Sequence, residues 1–272
     1  MLNSSYAESK KIMNGLLLIS FFSVVLEMLP ISSSTHIALL TQFLERLGII
    51  TSSPAIFKAF DFLLHGPMII ILIIFFFNRW RALPRFFYYR PASFINYVWC
   101  GVIVEMITLL FFLLFDYIEF AWWNLWIGFS ITSLALLSDY FLGPQSQSTK
   151  WNTKNACILG VAQGFAFLPG VSRFGITFAA ARSQGFSLRH AFELSFLIEF
   201  PISCVATLKG IYDLYKLNAL NLLNWQWWLT MVIATSIAFI LLHGVYGVII
   251  KRRWWLFGWY AAFLAVVAFV NK

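Results

Sequence analysis

Two short stretches of this sequence gather reactive side chains inside otherwise apolar runs. Glu27, Ser32, Ser33, Ser34 and His36 surround the segment LPISSST at 29–35, and Ser172 and Arg173 lie within LPGVSRFG at 168–175. A carboxylate, hydroxyls, an imidazole and a guanidinium are the groups that phosphoryl chemistry requires. The planar fork of an arginine matches two phosphate oxygens. Each residue also has a structural explanation. Serines cap helices, an arginine reaches toward headgroups, a glutamate pairs with an arginine, and a lone histidine packs at an interface. The combination within two breaks is what structure alone does not require.

The setting of these stretches follows from composition. Of the 272 residues, 61% are hydrophobic and only 11% are charged. A soluble domain carries about a quarter charged residues, so this chain cannot wet a soluble surface. Thirty Phe and 12 Trp suit lipid-facing helices with aromatic rings at the interfaces. The net charge of +8 comes from short clusters (Arg79, Arg81, Arg85 and Arg90; Lys150 and Lys154; Lys251, Arg252 and Arg253). That pattern is positive-inside bias rather than a basic stripe for nucleic acid. Cys100, Cys157 and Cys204 are odd in number and far apart, which implies neither a disulfide framework nor a metal cluster. Lys10 and Lys11 precede an apolar stretch from Ile12 to Leu26 that lacks a small-x-small cleavage site, so it is read as retained. Ionisable groups in such a chain sit at a cost, and close groups of them mark function.

The elements that must position these groups are membrane helices. Segments near 60–78, 94–115, 122–142, 190–208, 226–250 and 254–270 approach the ~20 apolar residues that a crossing needs. Two further apolar pieces, near 13–46 and 155–188, are each interrupted by Pro, Ser and Gly. Leu29-Pro30-x-x-Ser33 aligns with Leu168-Pro169-x-x-Ser172, and Phe60-Asp61 with Glu199-Phe200. Interrupted segments recurring in both halves point to a membrane site built from paired broken helices. The predicted architecture is all-α and integral to the membrane. It has about six transmembrane helices plus two re-entrant helix pairs, in one domain of inverted halves over 1–142 and 143–272. Placing 79–90, 143–154 and 251–253 in the cytoplasm puts the loop with Asp116 and Glu119 outside. The second broken segment then re-enters from the cytoplasm and the first from outside. Helix N-termini near Thr35 and Ile176 would turn free N–H groups inward, favouring an anion if both tips meet near the midplane.

The paired signatures resemble those of the undecaprenyl-diphosphate phosphatases. Glu27-Met-Leu-Pro-Ile-Ser-Ser-Ser-Thr-His36 is similar to that family's first signature, and Gly160 through Thr177 to its second. Phe60-Asp-Phe-Leu-Leu-His65 and Ser195-Phe-Leu-Ile-Glu-Phe-Pro201 resemble two further segments in the same order. The resemblance implies hydrolysis of a lipid-carrier diphosphate in the bacterial inner membrane, with the site facing the extracytoplasmic side, and an association with bacitracin resistance. It implies Ser33 as nucleophile, His36 as acid/base partner and Arg173 as phosphate clamp. Glu27 would be a base or metal ligand. Ser172, Ser32, Gly170 and Thr177 would bind phosphate. It also implies a divalent cation, Mg²⁺ or Ca²⁺, and a lipid diphosphate as partner; a homodimer stays open and no nucleic acid is expected. The sequence departs from the family pattern at Ser23, where a Glu or Gln usually stands, and at Thr35 and Phe174. Glu199 stands where a small residue is usual, which makes it a candidate second carboxylate for the metal. Direct attack by water stays open beside the serine. An isoprenoid-phosphate transporter or flippase, or a degenerate inactive homologue, are the rival readings. Glu105, Asp139, His65, His190 and His243 are weaker candidates; of these His65 is the one expected to line the site.

Overall fold

The computed structural model describes residues 2–50, 54–117, 123–142 and 151–270. Every regular element among them is helical. In chain order they are α1 (Leu2–Glu27), α2 (Ser33–Arg46), α3 (Pro54–Leu63), α4 (His65–Phe75), α5 (Phe77–Tyr89), α6 (Pro91–Tyr117), α7 (Leu125–Leu142), α8 (Thr153–Phe165), α9 (Arg173–Ser183), α10 (Leu188–Leu197), α11 (Glu199–Lys216), α12 (Trp225–Ile250) and α13 (Trp255–Val270).

Among the described residues, four stretches are long and apolar enough to cross a membrane: Pro54–Phe75, Pro91–Phe115, Leu188–Lys216 and Trp225–Ile250. The remaining two expected crossings fall on the shorter apolar helices Leu125–Ser138 and Trp255–Val270. Only 17% of the Pro91–Phe115 window is buried inside the protein. Its outward face of Val98, Val102, Met106, Leu109 and Leu113 therefore needs hydrocarbon as its solvent. The protein is a multi-pass membrane protein. At about 1.5 Å per residue, α8 and α9 are too short to cross a ~30 Å core singly, as expected of a segment that dips in and returns. The loops at 118–122 and 143–150, on which the assignment of sides depends, lie outside the described residues.

The breaks have a common chemical cause. Proline lacks an N–H and its ring clashes with the carbonyl four residues back, so a helix stops ahead of it and can restart with it in the first turn. His65-Gly66-Pro67 opens α4 and Glu199-Phe200-Pro201 opens α11, each with proline in the third position. Likewise α2 opens on Ser33, in the chain after Pro30, and α9 on Arg173, after Pro169. Gly170, within the second break, has a φ of +87°.

The chain forms two compact units, each drawing on both halves of the sequence. The first comprises 1–29, 33–71 and 202–242. Within it α1 packs on α2 and α3, with Ile19, Leu44 and Ile50 at the centre of that contact. Gly210 meets the backbone of Leu63 so closely that a Cβ there would lie 2.4 Å from its nitrogen. The second unit comprises 30–32, 72–201 and 243–272. In it α7 packs between α9 and α13, and α8 lies on α6 and α9. Arg79 of α5 pairs with Glu193 of α10, which also accepts from Arg189 at 3.0 Å. An aromatic core of Phe174, Phe178, Phe192 and Phe196 fills the space behind the second break.

Candidate active site

In the first unit three helix ends converge on one carboxylate. Glu27 is the last residue of α1, Ser33 the first of α2 and His65 the first of α4. Pro30 prevents the helix from running through, so the chain reverses over 28–32 and brings Ser33 back to the α1 terminus. The Ser33 Oγ donates to Glu27 Oε2 at 2.5 Å. The other carboxylate oxygen, Oε1, lies 3.7 Å from His65 Nδ1. The Glu27 side chain is 12% exposed and that of His65 20%, so little water competes for either. A short hydrogen bond from a hydroxyl to a half-buried carboxylate is the arrangement that makes the hydroxyl a nucleophile, because its proton already has an acceptor.

The resemblance implied His36 as the acid/base partner of Ser33 and Glu27 as a base or metal ligand. In the structure the hydroxyl crosses the break to Glu27, a contact between two helices that spacing within one helix cannot express. His36 lies half-buried one turn into α2. Beside the cluster, in the same unit, lies a cavity of about 280 Å³ lined by Ser20, Ser23, Ser34, Thr41, Lys58 and Asp61 among apolar residues of α1, α2 and α3. Ser23 thus lines the cavity one helical turn before Glu27, at the position where the family pattern has Glu or Gln.

The second unit holds Arg173. Its guanidinium forms an ion pair with Glu199, whose side chain is only 3% exposed. The break that presents Arg173 is tightly built. Ser172 caps α9, accepting from the Gly175 N–H at 3.2 Å. Thr132 of α7 accepts from the Ser172 N–H at 2.8 Å and donates to the Gly170 carbonyl at 2.9 Å. Trp123 Nε1 donates to the Pro169 carbonyl at 2.9 Å. Thr177, fully buried, donates to the Arg173 carbonyl at 2.8 Å. Three residues that the resemblance assigned to phosphate binding, Ser172, Gly170 and Thr177, are thereby engaged in shaping the turn. Ser32, the fourth, is 3% exposed ahead of α2.

Gly170 admits no other residue. Its φ is positive, and a Cβ would stand 2.8 Å from the Leu125 carbonyl oxygen and 2.9 Å from the Phe129 nitrogen, both backbone atoms of α7. Gly128 makes the approach reciprocal, since a Cβ there would lie 2.0 Å from the Pro169 oxygen. We expect Gly170→Ala to destabilise the protein by at least about 2 kcal/mol through backbone strain and overlap. Thermal unfolding in detergent checks this; an unchanged midpoint would show that α7 moves aside.

The residues present do not fit a preformed divalent-cation site. Among the described residues, no group of three or more His, Cys, Asp or Glu side chains is placed to hold a metal ion. Glu27 is engaged with Ser33 and His65, and Glu199 with Arg173. Hard cations take several oxygen ligands, which one engaged carboxylate does not supply. The expected second carboxylate, Glu199, is instead the partner of the arginine. Of the other histidines, His190 shares a 3.0 Å hydrogen bond with Ser187, and His243 packs on the Phe75 ring at 4.7 Å.

His65 was legible only as a lining residue, and nothing in its apolar run announced Thr132. The Arg173–Glu199 pair could have been sought from two opposite charges standing alone at corresponding breaks.

Long apolar helices, with charged and hydroxyl side chains gathered at breaks within each unit, define a multi-pass membrane protein. A profile of the family described as bacitracin resistance protein BacA matches residues 17–267, and the chain belongs to that family. Among its relatives, the undecaprenyl-diphosphatase of Halothermothrix orenii is 31% identical over 78% of each chain. That of Pseudarthrobacter chlorophenolicus is 28% identical over 90% of this chain and 91% of the relative. That of Campylobacter concisus is 29% identical over 84% of this chain and 86% of the relative.

Proposed function

We propose that this protein hydrolyses undecaprenyl diphosphate to undecaprenyl phosphate and inorganic phosphate. The product is the lipid carrier of cell-wall synthesis, and its recycling counters bacitracin. The observation that carries the mechanism is the hydrogen bond from Ser33 to Glu27 at a break within the membrane helices. As Ser33 Oγ bonds to the terminal phosphorus, its proton passes to Glu27, and the bond to the bridging oxygen breaks to release undecaprenyl phosphate. Water then attacks the phosphoserine with His36 as acid/base partner, the P–Oγ bond breaks, and Ser33 regains a proton. His65 holds the Glu27 carboxylate in register with the hydroxyl. Arg173 binds phosphate oxygens through its fork, where charge neutralisation supplies most of the catalysis. The protein works in the bacterial inner membrane with its site opening to the extracytoplasmic side, a reading supported by the basic residues of 79–90 and 251–253.

A divalent cation, if the reaction uses one, would be held mainly by the oxygens of the diphosphate rather than by these side chains, and would supply neutralisation of its charge. The test is phosphate release from undecaprenyl diphosphate by detergent-purified protein, with and without chelator. We expect turnover that chelator reduces, together with no measurable Mg²⁺ binding by calorimetry in the absence of lipid. Retention of the lipid without phosphate release would reject the hydrolase. Full turnover in chelator would reject the cation alone.

A further inference from the structure

Arg173 meets a carboxylate before it meets any substrate. Glu199 opens α11 and is 2% exposed, and its Oε1 contacts Nη2 of Arg173. Two features hold the carboxylate in place. It occupies the first turn of α11, where the helix dipole favours negative charge. The turn before it is tied to α8, since Gln163 Nε2 reaches the Ile198 carbonyl at 3.5 Å. The Arg173 side chain keeps 22% exposure, so the guanidinium remains reachable while one of its nitrogens faces Glu199.

The consequence is electrostatic. A carboxylate in contact with a guanidinium cancels much of the charge an anion would feel, and in a poorly hydrated setting that cancellation is weakly screened. We propose that Glu199 sets the phosphate affinity of Arg173, keeping it low enough for the inorganic phosphate product to leave. This rests on the reading of Arg173 as the phosphate ligand. Glu199 acts through Arg173 and is a positioning residue that determines affinity.

Glu199→Gln isolates the charge, since the amide keeps the length and an oxygen that accepts from the guanidinium. Glu199→Met removes the charge by a second route. In the purified full chain, calorimetric binding of inorganic diphosphate should tighten about tenfold or more in both variants. The inhibition constant of inorganic phosphate against lipid-diphosphate hydrolysis should fall in parallel. Glu193→Gln removes another buried carboxylate, the partner of Arg79 and Arg189, and should leave diphosphate affinity within about twofold. Equal or weaker diphosphate binding in the Glu199 variants overturns the inference and returns Glu199 to a purely structural partner. Equal tightening in Glu193→Gln overturns it too, since any loss of negative charge would then suffice. The two readings fail separately. Unchanged binding with phosphate release intact sinks the role of Glu199 alone, whereas tightened binding in a chain that releases no phosphate sinks the hydrolase and leaves the anion contact standing.

Discussion

Ser33→Ala is expected to lower phosphate release from undecaprenyl diphosphate by roughly a thousandfold or more, while Ser34→Ala stays within a few-fold of the parent. The two serines are neighbours in sequence and alike in chemistry, so the contrast isolates position. Ser33 donates to Glu27 at 2.5 Å, whereas Ser34 is exposed at the second position of α2, on the cavity wall. A serine at such a break can cap the helix that follows. The structure places Ser32 immediately ahead of the helix and Ser34 inside it, so its loss touches neither the cap position nor the nucleophile. Glu27→Gln should approach the Ser33→Ala loss, because an amide cannot accept the hydroxyl proton as a base. Single-turnover phosphate release measures all three. Equal rates for Ser33→Ala and Ser34→Ala would remove the serine nucleophile and leave water as the attacker, with Glu27 as its base.

Arg173→Lys should lose about 10²- to 10³-fold in kcat, the range seen when one preorganised donor to a developing anion is removed. Lysine keeps the positive charge and can still meet Glu199, so the loss reports geometry rather than charge. The ammonium is a point donor on a flexible stem, while the guanidinium offers a planar pair of N–H groups to two oxygens at once. The surrounding turn sharpens the expectation. Ser172, Thr132, Gly170 and Thr177 fix the backbone at the start of α9, so a shorter reach of the side chain cannot be recovered by moving the helix. The check is kcat and KM on the lipid substrate, with thermal unfolding confirming that the variant is folded. Near-parental kcat would mean that Arg173 contributes only charge.

By itself the sequence determined the solvent, the helical class and the addresses of the reactive groups. Each of these depends on local chemistry: apolar runs too rich for water, prolines that must interrupt a helix, and Glu27, Ser33 and Arg173 at those interruptions. The paired signatures were enough to imply the family, because they are contiguous in the chain. What only the tertiary structure decided is which group faces which. The Ser33 hydroxyl meets Glu27 because the chain reverses at Pro30 and sets two helix ends together. Glu199 pairs with Arg173 because each is the first residue of its helix, α11 and α9, and the fold brings those two helix starts together. The left-handed backbone of Gly170 accompanies the close approach of α7 through Gly128 and Thr132, which the residues of the break do not announce. Spacing along a chain reports which side chains share a helix face. A carboxylate's partner across a break is set by packing of elements distant in sequence, and that information lies in no single stretch of residues.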